Sequence, residues 1–371
     1  MDRNKIEILT KKILEYSIKV KEKENLLVEI FGEDGIPLAL EIIKQAENKN
    51  INVFFNIINY SILKELLKNC NEEQIKLYAK HDFERIKDMD AYIGISAKNR
   101  ENELEGILAE KMELYNKEYM ALVHINERVK KKWCILRYPN KFFAEKNNMD
   151  LKEAEEYYFN VCSIDYAKLA LAMDNLVELL NKSDKVRIIG ENTDISFSIK
   201  GIKAEKYIGN FNLPDGEVAT APIKDSVNGF ITYNTETVYS GQKFKNIRFE
   251  FKDGKIINAT CDKTEELNKI LDTDAGARYI GEFAFGLNPF VRNVSQDVLF
   301  DEKIYGSFHL TPGNSLSESD NGNRSAIHWD IVNIQTKDFG GGEIWVDNTL
   351  IRKDGRFVIK KLECLNLENL I

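Results

Sequence analysis

The stretch NLLVEIFGEDGIPLALEIIKQAENKNINVFFNII, residues 25–58, decides the fold class. Its ends, NLLVEIF (25–31) and INVFFNII (51–58), are apolar runs of strand length. Between them lie a turn at Gly32 to Gly35 and the helical run IPLALEIIKQAENKN. The order is strand, helix, strand, and a helical crossover returns the second strand in the direction of the first, so the two pair in parallel. Working outward, Ile6, Leu9, Ile13 and Ile18 fall near one face of an amphipathic helix predicted over 3–23. Downstream come helices near 61–79, a strand at AYIGISA (91–97), a long helix over about 106–128 and a strand at KKWCILRY (131–138). The first half therefore reads as an α/β layer with an open, mainly parallel sheet.

Helical patterning returns over 151–182 and ends in NKSD. From VRIIG (186–190) onward the character changes to short alternating strands with Gly, Asn and Asp turns: DISFSIKG, GFITYNTETVY, NIRFEFKDGKI, GEIWVDNTLI. This predicts an α/β N-terminal domain over 1–184 and a β-rich α+β C-terminal domain over 185–371.

Composition narrows the function. The 371 residues are 43% hydrophobic and 30% charged, the balance of a soluble globular protein. A net charge of −8 with acids and bases interspersed offers no basic face for nucleic acid. MDRNKIEILTKKILEY lacks the continuous apolar core of a signal peptide, and no run approaches the ~18 apolar residues of a membrane span, so no membrane partner and a cytoplasmic location are expected. The five cysteines include no CxxC pair, which disfavours a disulfide framework or thiolate zinc site. Neither GxGxxG after a strand nor GxxxxGK[ST] occurs, so a nucleotide-phosphate cradle is not expected.

Chemistry concentrates in the second half. In SAIHWDIV (325–332), side chains two apart on a strand share a side, so His328 and Asp330 face one way and Trp329 the other. Imidazole with carboxylate suits a divalent metal, although such a pair is more often an ordinary hydrogen-bonded couple. His309 in EKIYGSFHLTPG is a second of the four histidines in this region, while His81 and His124 sit in helical contexts as structural or surface residues. Glu217 in LPDGEVATAP and Glu282 in ARYIGEFAFGLNP each follow a glycine and precede an apolar run, and Asp301–Glu302 lie in VLFDEKIYG. Each of these carboxylates, taken alone, is compatible with a cap or a turn.

Together these segments carry a resemblance. KKWCILRYP, EAEEYYFNVCSIDYAKLALAMDNL, DISFSIKG, NLPDGEVATAP, DTDAGARYIGEFAFGLNP, LFDEKIYGSFHL and SAIHWD occur in the order seen in the co-catalytic metallo-aminopeptidases that include aminopeptidase T, aminopeptidase S and the PepS enzymes. The resemblance implies metal ligation by Glu217, Glu282, His309, His328 and Asp330, and two divalent ions (zinc, cobalt, manganese or magnesium). It also implies removal of N-terminal residues from short peptides, and a homodimer. The general base is Glu302 or Glu282, since either needs only a carboxylate near the bridging water. One position departs: the family places a tyrosine seven residues after the motif histidine, and here that residue is Leu316. Asn314, Ser315 and Ser317 are the neighbouring polar residues that would have to substitute. Two alternatives stay open, a non-haem iron ring-cleaving dioxygenase using His309, His328 and Asp330, and a metal-binding homologue without peptidase activity.

Overall fold

The structure is a computed structural model, which describes residues 2–371. The chain divides into two compact units, Met1–Ser163 with Gly209–Leu213, and Ile164–Ile208 with Pro214–Ile371.

The first unit contains a five-stranded sheet in the order 52–58, 25–31, 91–96, 132–137, 212–213, with every neighbouring pair parallel. Leu26, Leu27 and Val28 on the second of these strands are fully buried. The helix Ile36–Glu47 carries Pro37 in its first turn and buries Leu38, Ala39, Ile42 and Ala46. Local caps that periodicity does not register set the breaks within the helical stretches. The helices expected near 61–79 are Tyr60–Asn69 and Glu72–Lys87, the second started by Asn71, whose side chain accepts the Gln74 N–H. The run over 151–182 is likewise Leu151–Cys162 and Tyr166–Asn181, with Asp165 capping the second. The N-terminal helix Arg3–Lys12 passes into a wide turn at Ile13–Ser17 and ends there, short of residue 23.

In the second unit the helix Tyr166–Asn181 packs against the strands Glu205–Tyr207 and Glu217–Thr220. It therefore groups with the β-rich unit, and the units part near residue 163 where the sequence pattern had suggested 184. Two antiparallel sheets dominate. One has eight strands, in the order 255–260, 248–252, 228–232, 193–198, 185–190, 343–346, 349–353, 356–357. The other has five, in the order 331–334, 307–312, 280–286, 217–220, 205–207.

The strand Ile280–Gly286, with sequence IGEFAFG, explains how the five-stranded sheet is used. Alternation sends Phe283 and Phe285 to one face and Glu282, Ala284 and Gly286 to the other. Phe283 is wholly buried, its ring 5.1 Å from Phe197 of the eight-stranded sheet and 5.0 Å from Phe285, and Phe285 lies 6.2 Å from Phe357. The phenylalanine face is thus the core between the sheets. On the opposite face, cross-strand register sets His309 beside Ala284, Ala284 beside Ala219, Glu217 beside Gly286 and Glu282 beside Thr311. Small residues stand between the functional ones.

Replacing Phe283 with Ala removes a fully buried ring from this core and is expected to cost about 3–5 kcal/mol of unfolding free energy, read from the urea midpoint at unchanged slope. A loss under about 1 kcal/mol would show that the ring does not hold the two sheets together.

Candidate metal centre

Glycine precedes two of the carboxylates for a geometric reason. A Cβ on Gly281 would stand 2.3 Å from the Asn314 carbonyl oxygen and 2.4 Å from that of Gly313, so only glycine admits the Gly313–Asn314 turn against this strand. The register with the His309 strand shifts at this point, a bulge that re-aims Glu282. Gly216 takes φ +129°, which side-chain-bearing residues rarely adopt, as the chain turns into the Glu217 strand.

Above the small residues, the polar side chains converge. Glu282, His309 and Asp330 each offer one ligand atom, all within 4.8 Å of one another. His309 Nε2 lies 3.5 Å from Glu282 Oε1 and 3.8 Å from Glu217 Oε2. His328 Nε2 lies 3.2 Å from both Glu282 Oε2 and Asp330 Oδ1. Asp330 Oδ1 also accepts a 2.6 Å hydrogen bond from the Thr311 hydroxyl. The five residues singled out in the sequence are thus brought to one face of one sheet. His328 differs in one respect from expectation: it forms an isolated bridge with Gly313 and, with Asp330, precedes the strand Ile331–Ile334. Trp329 points the other way, buried between Tyr239 and Phe244 with its indole N–H on Thr237.

Two observations fit this donor set to a metal. His328 Nδ1 is 2.8 Å from the Asn314 carbonyl oxygen, and only a protonated Nδ1 can bond there, so Nε2, which faces Glu282 and Asp330, is the nitrogen that would take a metal on giving up its proton. Histidine ligands characteristically donate their other N–H in this way. Glu217 Oε2 is a buried polar atom without a hydrogen-bond partner, and such an atom asks for a ligand. Glu302 lies beside this group; its Oε1 is 2.7 Å from Lys303 Nζ. Asp301 is used structurally, its carboxylate accepting the backbone and hydroxyl of Ser295.

Sequence reasoning passed over three residues here. Lys303 is fully buried, with its ammonium 2.5 Å from Glu217 Oε1 and 3.5 Å from Asp215 Oδ1. Asp215 is also fully buried. Tyr207 stands opposite Glu217 in the sheet register, so it shares Glu217's face. Burial, and after it the negative charges of Glu282, Glu318 and Glu217, keep its phenol protonated. A lysine embedded among acidic motifs, as in FDEKIYG, is the signal that was available. Leu316 is half-buried, and the neighbouring polar residues are engaged: Asn314 through its carbonyl to His328, Ser315 to Asp320 and Asn323, Ser317 to Glu318. His81 is exposed, and His124 is buried with Nε2 3.8 Å from Glu29; both belong to the first unit.

Comparison with known proteins gives the family. A family model described as thermophilic metalloprotease (M29) matches residues 2–357. The chain belongs to the M29 family. Among curated relatives, aminopeptidase 2 of Geobacillus stearothermophilus is 26% identical over 268 residues, covering 60% of this chain and 62% of that protein. Aminopeptidase T of Thermus aquaticus is 32% identical over 174 residues, covering 40% of this chain and 41% of that one. These matches thus span less than two thirds of either relative's length. The solved structure of AmpT from Thermus thermophilus shares the fold, with a TM-score of 0.81 at 18% identity over 96% of this chain and all of that one. M29 membership implies divalent metal. No helix among the described residues is long and apolar enough to cross a membrane.

Charge in the cluster is distributed unequally. Burial pushes the Glu217 carboxyl up to about 7, against the pull of Lys303 and His309. Burial would lower His309, but Glu282 and Glu217 carry it up to about 9. A histidine must lose its proton to coordinate, so at pH 7 His309 has to release one for metal to bind. Metal affinity is therefore expected to rise between pH 6.5 and 9, with proton release visible as a buffer-dependent heat in titration calorimetry. A pH-independent affinity across that range would place the metal on other residues.

Proposed function

We propose that this chain is a metal-dependent aminopeptidase that removes N-terminal residues from short peptides at a co-catalytic site of two divalent ions, carried by the β-rich unit. The observation that carries the reading is the convergence of Glu217, Glu282, His309, His328 and Asp330 on one sheet face, with an unpartnered buried oxygen on Glu217. M29 membership and the relatives called aminopeptidases support it. Glu282 lies between both histidines and is the residue suited to serve two ions; His309 and Glu217 group on its Oε1 side, His328 and Asp330 on its Oε2 side. Imidazole and carboxylate donors suit zinc, cobalt or manganese, and magnesium by its carboxylates.

Bound ions would lower the pKa of a water and polarise the scissile carbonyl. The chain's own groups do the rest. Glu302, whose proton affinity burial raises, takes the proton of the attacking water on a carboxylate oxygen and returns it to the departing amine. Glu282 is the other carboxylate positioned for this role. Thr311 and Asn314 hold Asp330 and His328 in orientation, so the donors do not reorganise when substrate arrives. No tyrosine follows His309 at the family spacing, and Tyr207 is a phenol on the same sheet face. A free peptide amine would be drawn to the carboxylates, which favours an exopeptidase. The dioxygenase alternative needs only His309, His328 and Asp330, and leaves Glu217 and Glu282 on that face without a role. A homodimer and a cytoplasmic location complete the proposal.

The test is hydrolysis of leucine p-nitroanilide before and after chelation, and after restoring zinc or cobalt. We expect loss on chelation and recovery on restoration, with His328→Ala lowering the restored rate at least about a hundredfold. Metal binding with no hydrolysis of any aminoacyl substrate would indicate a homologue that has lost the activity.

A further inference from the structure

Lys303 is a fully buried lysine whose ammonium touches three carboxylates. Its backbone is fixed from two directions: its N–H donates to the Phe300 carbonyl in the turn after the helix Val298–Asp301, and its carbonyl accepts the Asn288 N–H at 3.1 Å. Asn288 in turn donates its side-chain amide to the Asp215 carbonyl at 2.7 Å. The Asp215 amide bonds the Tyr166 hydroxyl at 3.0 Å. The lysine is thus part of the frame that positions the Asp215–Glu217 turn.

What the ammonium does to Glu217 is specific. It takes Oε1 at 2.5 Å, a charge-assisted bond, while Oε2 stays unbonded and points to within 3.8 Å of His309 Nε2. A glutamate has three rotatable bonds and, unrestrained, could offer either oxygen or both. Held by Lys303 it presents one oxygen in one direction. The second bond, to Glu302 Oε1 at 2.7 Å, locks the proposed base to the same anchor.

We propose that Lys303 is a positioning residue that makes Glu217 a one-oxygen metal ligand and ties Glu302 to it, so that ligand and base keep a fixed separation. This rests on the reading of Glu217 as a ligand. The competing role, a counter-charge only, makes the opposite forecast. Removing a cation from a site of carboxylates raises its attraction for a divalent ion, so a mere counter-charge would bind metal more tightly once lost. A positioning residue would bind it more weakly, because residues that orient ligands typically contribute 10–100-fold in affinity.

The experiment is cobalt binding to purified full-length protein, by calorimetry and by the visible spectrum of bound cobalt, in wild type, Lys303→Met, Glu217→Gln and the double variant Lys303→Met/Glu302→Gln. Lys303→Met is expected to bind cobalt at least about tenfold more weakly and with a changed spectrum. Should it fail to fold because its carboxylates are left uncompensated, the double variant, which neutralises one of them, is expected to show the same weakening. Affinity equal to or tighter than wild type, with an unchanged spectrum, would overturn the positioning role. Wild-type cobalt binding in Glu217→Gln would instead overturn the ligand assignment itself, and the two failures are distinguished by which variant keeps its spectrum.

Discussion

Buried negative charge is the constraint on which the β-rich unit is organised. Asp215, Glu217, Glu282 and Glu302 are all nearly or wholly inaccessible, and Asp330 is only slightly less so. An uncompensated buried carboxylate costs several kcal/mol, so such a group exists only where cations or protons meet it. Lys303, His309 and His328 supply part of that compensation, and the atoms left over, above all Glu217 Oε2, mark where more positive charge belongs. Glu217 is driven toward neutrality by burial while Glu282, contacted by both histidines, is held below the usual carboxylate range despite its burial. That asymmetry separates a carboxylate that ionises readily from one that needs a partner.

The fold meets this constraint by dividing labour across one sheet. The pleat of IGEFAFG puts two phenylalanines into the core and the glutamate on the opposite side, so the same seven residues anchor the sandwich and supply the site. Alanine and glycine between the ligands keep the face open, and the bulge at Gly281 lets the Gly313–Asn314 turn come close enough for its carbonyl to set the tautomer of His328. Precision at the donors thus descends from core packing, through strand register, to side-chain direction.

The sequence made the main divisions readable. Parallel pairing of 25–31 with 52–58 followed from the strand, helix, strand order, and the change to alternating strands after residue 185 announced the antiparallel sheets. Glu217, Glu282, His309, His328 and Asp330 stand together only through the family motifs that carry them; taken alone, the two glutamates are compatible with a cap or a turn, and His328 with Asp330 is compatible with an ordinary hydrogen-bonded couple. What could not be read was decided by single hydrogen bonds or by three-dimensional proximity. Asn71 and Asp165 start new helices at positions that the apolar period does not mark. Lys303 and Asp215 are charged residues in turn-like strings, and nothing in their neighbours says that they are buried against Glu217. The alternation expected at His328 and Asp330 does place Trp329 on the other side, yet the strand itself begins only at Ile331.

The most direct measurement is anomalous X-ray scattering from crystals of the zinc-loaded protein, collected across the zinc absorption edge. We expect metal density within bonding distance, about 2.0–2.2 Å, of His309 Nε2, His328 Nε2 and oxygens of Glu282, Asp330 and Glu217, with Lys303 still on Glu217 Oε1. Zinc density only at other side chains, with the cluster unchanged and metal-free at saturating zinc, would contradict the assignment of this face as the metal centre.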